Sequence, residues 1–126
     1  MLEKGLSCTV KVTVTEQNTA LSAGSGDLKV FATPWMLAAM ENAAMRAVAD
    51  SLPEGSTTVG SEISSSHIKP SGIGAEITAT AVLTEADGRK LTFSVQASDA
   101  DGLIGEGLHT RYIVDRERFL SKLLKK

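Results

Sequence analysis

Glu41 is out of keeping with its neighbours. It lies in the stretch TPWMLAAMENAAMRAVADSL, Thr33 to Leu52, on a helical row with Leu37 and Met45, because residues four apart stack on one helix face. An ionised carboxylate on an apolar row needs partners, or its pKa rises. A carboxylate so raised is a better general base near neutrality. The plainer reading of the same position is a glutamate at a helix edge that reaches a backbone N–H or water. His67 is of a type that shuttles protons or holds a carboxylate, although a strand histidine is more often structural. Thr33 offers a hydroxyl, but just before Pro34 it is foremost a helix N-cap. Cys8 is the only cysteine and sits in an alternating pattern; it reads as a small core residue rather than a nucleophile. Two histidines and one cysteine far apart give no metal-ligand spacing, and no GxGxxG or phosphate-loop pattern is present.

The elements that would position these residues belong to an ordinary globular chain. At 126 residues the expectation is a single domain over 1–126. Hydrophobic content of 42% and charged content of 22% fit a soluble protein. A net charge of -2 argues against a nucleic-acid footprint, and 4% aromatic residues leave no stacking platform for single strands. One cysteine permits no intrachain disulfide. There is no signal-peptide pattern, and Glu41, Asn42 and Arg46 interrupt the most apolar stretch, so the expectation is a cytoplasmic protein without a membrane span.

Ser7 to Thr15 alternates, with Cys8, Val10, Val12 and Val14 on one face, as a half-buried strand does. Gln17 to Lys29 is irregular and rich in Ser, Gly and Ala, which predicts a loop. The helix from Thr33 to Leu52 is apolar nearly all round except for the stripe Asn42, Arg46 and Asp50, which predicts enclosure by the rest of the fold. Pro53, Glu54 and Gly55 stop it. Thr57 to Lys69 is a poorer strand in which Val59, Ile63 and His67 should share a face. Pro70 to Gly74 must turn. Ala75 to Glu85 and Lys90 to Ser98 alternate about Asp87-Gly88, a type I′ hairpin signal. Ile77, Ala79, Ala81 and Leu83 should face inward, as should Leu91, Phe93, Val95 and Ala97. After a turn at Asp99 to Gly102, Leu103 to Val114 is the last strand. Asp115 caps a short amphipathic helix with Phe119, Leu120, Leu123 and Leu124, whose negative end suits the terminal lysines. The fold class is therefore α+β: a five-stranded antiparallel sheet wrapped around a long central helix, with a short C-terminal helix. One chain has too little sheet to close on itself, which predicts edge-to-edge pairing in a homodimer, or a dimer of dimers.

That architecture resembles the hotdog fold. Val30-Phe31-Ala32-Thr33, then Glu41 eight residues on and His67 a further 26 on, resembles the fluoroacetyl-CoA thioesterase type of hotdog protein. The likeness continues in the Pro-Ser-Gly turn after His67, in Gly88-Arg89 and in Gly107-Leu108-His109-Thr110-Arg111. It departs at Pro34, where the family has glycine, and before Val30, where Gly24, Ser25, Gly26 and Asp27 replace an aromatic-rich lid.

The resemblance implies hydrolysis of a small or medium acyl-CoA thioester. It makes Thr33, Glu41 and His67 the catalytic group, with Glu41 as general base or nucleophile and the helix-start N–H groups as receivers of the oxyanion. Coenzyme A enters as part of the substrate, with no separate cofactor and no metal. Val30, Phe31, Gly72, Gly74, His109 and Arg111 are the candidate substrate-binding residues, and Lys69, Arg89, Lys90 and Arg111 are candidates for the coenzyme A phosphates. His109 and Arg111 alternate onto one face with Gly105 and Gly107, where packing against a neighbour is the plainer reading. Two other functions share the fold: a non-hydrolytic acyl-CoA-binding module and an enoyl-thioester hydratase or dehydratase.

Overall fold

The computed structural model describes residues 2–124; Lys125 and Lys126, expected to suit the last helix, lie outside them. The elements run β1 (Ser7–Thr13), a 3₁₀ turn (Glu16–Asn18), α1 (Ala20–Ala23), α2 (Thr33–Ala49), β2 (Ser56–Ser65), β3 (Glu76–Asp87), β4 (Lys90–Asp99), β5 (Gly102–Asp115) and α3 (Arg116–Leu124). All four strand pairings are antiparallel, in the order β1-β3-β4-β5-β2, which leaves β1 and β2 as edges. Among the described residues no helix is long and apolar enough to cross a membrane.

The core forms where α2 crosses the sheet. Met36, Ala39, Met40, Ala43, Ala44 and Val48 are buried on α2, facing Ile77, Ala79, Ala81 and Leu83 of β3 and Leu91, Phe93, Val95 and Ala97 of β4. Period-two alternation on the strands thus meets helical spacing on α2. Alanine supplies three of these six helix residues and three of these eight strand residues, small side chains that favour close approach of helix and sheet. Enclosure is one-sided: Pro34, Trp35, Ala38, Met45 and Ala49 are exposed in the single chain.

Several local expectations are corrected. The segment after β1 is a capped structure, not a plain loop. Thr15 and Asn18 bond reciprocally across the 3₁₀ turn, and Thr19 Oγ1 accepts from the Ser22 N–H at 3.2 Å to start α1. Small polar residues that read as loop formers supply these caps. α2 ends at Ala49 rather than Leu52, and its N-cap is Ala32, with no side-chain cap. The β3–β4 hairpin turns through Gly88 and Arg89. Only Gly88, at φ 61, is left-handed there, which is the type II′ pattern rather than I′. Cys8 is half-buried on the edge strand. Asp115 caps α3 as expected, its Oδ1 accepting from the Arg118 N–H at 2.9 Å.

A slip in β2 between Gly60 and Glu62 matters most for the site. Thr58 is buried, and the missing Cβ of Gly60 points under the sheet toward α2. After the slip that face continues at Ile63, opposite His109. Val59 and Ile63 therefore do not share a face, because one extra residue reverses the alternation.

Candidate active site

Thr33 begins α2, and its hydroxyl does not cap the helix. Oγ1 lies 2.7 Å from His67 Nδ1. The other ring nitrogen, His67 Nε2, is buried and has no hydrogen-bond partner among the described residues. Burial holds the His67 pKa below 6.5, opposed by the Lys69 backbone, so the ring is neutral at neutral pH. If Thr33 donates to Nδ1, Nε2 presents an N–H; if Thr33 accepts, Nε2 presents a lone pair. Either state leaves one unspent acid–base atom. Thr33 and His67 border a pocket of about 330 Å³ with Val30, Phe31, Ile68 and Lys69.

Glycines and a carboxylate fix the His67 segment. A Cβ at Gly107 would collide with the Ser64 carbonyl, and one at Gly105 with the Ser66 carbonyl and with Met36 Sδ at 2.8 Å. The two glycines of β5 thus let the end of β2 lie close across it, with Ile68 N–H bonded to the Ile104 carbonyl at 2.7 Å. Beyond His67, Asp99 accepts from Lys69 Nζ at 2.7 Å and Ser71 Oγ at 2.8 Å. These bonds, the Lys69 bond foremost, bring the Asp99 pKa to about 2. Lys69, a candidate phosphate ligand, is therefore engaged by a carboxylate.

Gly72 pairs with Val30, and the Phe31 N–H donates to the Ser71 carbonyl at 2.8 Å. Val30 and Phe31 line the pocket, whereas Gly72 and Gly74 form the turn behind it. The helix start offers fewer oxyanion donors than its position implies. Pro34 has no N–H, and those of Trp35 and Met36 both bond to the Ala32 carbonyl at 3.0 Å. Among the described residues, Thr33 alone in the first turn keeps a backbone N–H without such a bond.

Glu41 stands elsewhere. Eight residues of helix carry it about 12 Å along the axis from Thr33. The missing Cβ of Gly60 would lie 2.9 Å from Glu41 Oε2, 3.2 Å from His109 Cε1 and 3.3 Å from Arg111 Nη1. His109 and Arg111 are 1% and 7% exposed. They face Glu41 and do not line the pocket at Thr33 and His67. The structure thus brings Thr33 to His67 and Glu41 to His109 and Arg111, as two groups on one helix. Sequence reasoning missed Thr58 and Gly60, because the slip in β2 that puts them on the same face as Ile63 has no sequence signal.

No curated protein matches the chain by sequence. A model of the family FlK, fluoroacetyl-CoA-specific thioesterase, matches residues 14–117. Among solved structures, the fluoroacetyl-CoA thioesterase FlK superimposes with a TM-score of 0.92 at 30% identity, covering 100% of this chain and 98% of that one. A variant of FlK in complex with acetyl-CoA gives 0.91 at 30% identity, covering 97% and 96%. A thioesterase superfamily member from Thermus thermophilus gives 0.88 at 24% identity, covering 96% and 90%, a likeness of fold. The sheet around α2 is therefore the hotdog fold, and the chain belongs to the fluoroacetyl-CoA-specific thioesterase family and is a thioester hydrolase.

Proposed function

We propose that this protein hydrolyses a small or medium acyl-CoA thioester as a homodimer. Thr33, Glu41 and His67 do the chemistry. The observation that carries this reading is the Thr33–His67 hydrogen bond, which leaves a buried, unpartnered ring nitrogen at a pocket. Hydrolysis adds an oxygen to the thioester carbonyl, breaks the C–S bond and delivers a proton to the departing thiolate. Glu41 either takes the proton of the attacking water, or attacks the carbonyl itself and expels the thiolate to give a mixed anhydride, which water then cleaves to the free acid and the Glu41 carboxylate. His67 moves the proton, and the Thr33 hydroxyl orients its ring. The Thr33 N–H, at the positive end of α2, receives developing oxyanion charge.

The exposed edge of β2 supports pairing with a second copy. Leu37, Glu41 and Met45 form one row of α2, so a partner on that side would cover the interval between Glu41 and His67. An acyl group lodged there would be sheltered from water. The family's substrate, fluoroacetyl-CoA, is one candidate within this class.

Thiol release from thioesters running from acetyl to long-chain, with fluoroacetyl and aromatic acyl groups included, tests the reading. The wild type should turn over a short or medium member, and Glu41→Gln should lose at least about 100-fold in kcat, the scale of a general base. Undiminished turnover in that variant would remove Glu41 from the mechanism. Thermal stabilisation by acyl-CoA without thiol release would favour a binding module.

A further inference from the structure

Arg111 is a buried cation whose guanidinium is fixed on three sides. Nε donates to Thr58 Oγ1 at 2.8 Å and Nη2 to the Thr58 carbonyl at 2.9 Å. Nη1 lies 3.2 Å from His109 Nε2. A guanidinium has donors only, so His109 Nε2 must accept. The ring proton then sits on Nδ1, which donates to the Glu62 carbonyl at 2.8 Å. Burial is the main cause holding the His109 pKa below its ordinary value; the Glu62 carbonyl opposes it and Arg111 reinforces it. The surroundings thus specify one tautomer of a neutral ring.

The free side of this assembly faces Glu41. The space that a Gly60 Cβ would fill is bordered by Glu41 Oε2, His109 Cε1 and Arg111 Nη1 together. Glu41 is also the carboxylate whose charge acts on both His109 and Arg111. A buried guanidinium needs an anion nearby, and its fixed fork in turn orders the field at that anion.

We propose that His109 and Thr58 are positioning residues that hold Arg111 as the fixed counter-charge of Glu41, and so set the orientation of the carboxylate used in hydrolysis. The proposal rests on Glu41 acting in that reaction. It assigns His109 a role without contact to substrate, as an acceptor at Nε2.

Two measurements test it. In the ¹⁵N-labelled wild-type protein at neutral pH, the His109 ring should carry its proton on Nδ1 alone. A protonated Nε2, in either a neutral or a charged ring, would overturn the proposal whatever the substrate. In the thiol-release assay, His109→Leu should lower kcat by about 10- to 100-fold, the effect of misplacing a catalytic group, with KM little changed. His109→Gln, which restores an acceptor, should recover most of the loss. Wild-type kcat in His109→Leu, with Glu41→Gln inactive, would overturn this proposal and leave the hydrolytic reading intact. Full activity in Glu41→Gln would remove both. Equal loss in the Leu and Gln variants, with lowered Tm, would mark a merely structural histidine and also overturn it. If His109→Leu does not fold, Thr58→Val keeps the side-chain shape and removes only the Nε acceptor. Its kcat should fall several-fold at unchanged KM, and an unchanged kcat would count against the proposal.

Discussion

Two side-chain assemblies meet α2 at separate positions. At Thr33 and His67 an acid–base atom is left free; at Glu41 a carboxylate is held among a neutral histidine and a buried guanidinium. Gly60 touches the second assembly through the absence of a side chain. Gly60→Ala would place a methyl 2.9 Å from Glu41 Oε2, with the rigid Arg111 assembly behind it. We expect the variant to lose about 1–3 kcal/mol of stability by overpacking and most of its turnover. Chemical denaturation and thiol release would check this; a wild-type Gly60→Ala would show that the carboxylate yields freely. The histidines predict a pH dependence. Burial lowers the pKa of His67 and of His109 below 6.5, so the unfolded chain binds more protons than the folded one in that range. Stability from this source should be complete above 6.5 and decline as pH falls through the lowered values. Melting temperature against pH should show this, and a profile flat from 7 down to 4 would contradict it.

At the scale of elements, the segment between β2 and β3 decides where His67 sits. It is anchored by Asp99 at the end of β4, whose side chain is 6% exposed and takes both Lys69 and Ser71. Asp99→Asn removes the charge that Lys69 answers. The expected outcome is a looser His67 segment, with faster amide exchange across Ser66 to Ser71 and a lower kcat, while the α2 core keeps its protection. Exchange unchanged in that segment would show that the Gly105 and Gly107 contacts suffice alone. Asp99 has a pKa of about 2, so this anchor persists through the acidic range in which the histidines charge. The core should be insensitive to these changes, because α2 packs through Met36, Met40 and Val48, all fully buried.

For the molecule as a whole, the strand order leaves β2 as an open edge beside the Glu41 row. An unpaired edge of ten residues is a template for another strand. Sedimentation should give twice the 13.2 kDa of one chain, with specific activity falling on dilution as the pair separates. A fully active 13.2 kDa species would rule out a site completed by a partner.

The sequence by itself determined the alternation of β3 and β4, the helical character of Thr33 to Ala49, the cap at Asp115 and the order of the five strands and the two longer helices. Each depends on periodicity or on chemistry between near neighbours, which a sequence carries in full. The spacing of Thr33, Glu41 and His67 was legible as a family likeness, but their arrangement was not. Only the tertiary structure decided that the Thr33 hydroxyl turns to His67 instead of capping α2, since that depends on Gly105 and Gly107 admitting the end of β2. It also decided that His109 and Arg111 face Glu41, that Thr58 and Gly60 join them and that Lys69 is taken by Asp99. These contacts link residues tens of positions apart through a one-residue slip and two missing side chains. Local pattern has no record of such features, because their effect exists only where two strands and a helix meet.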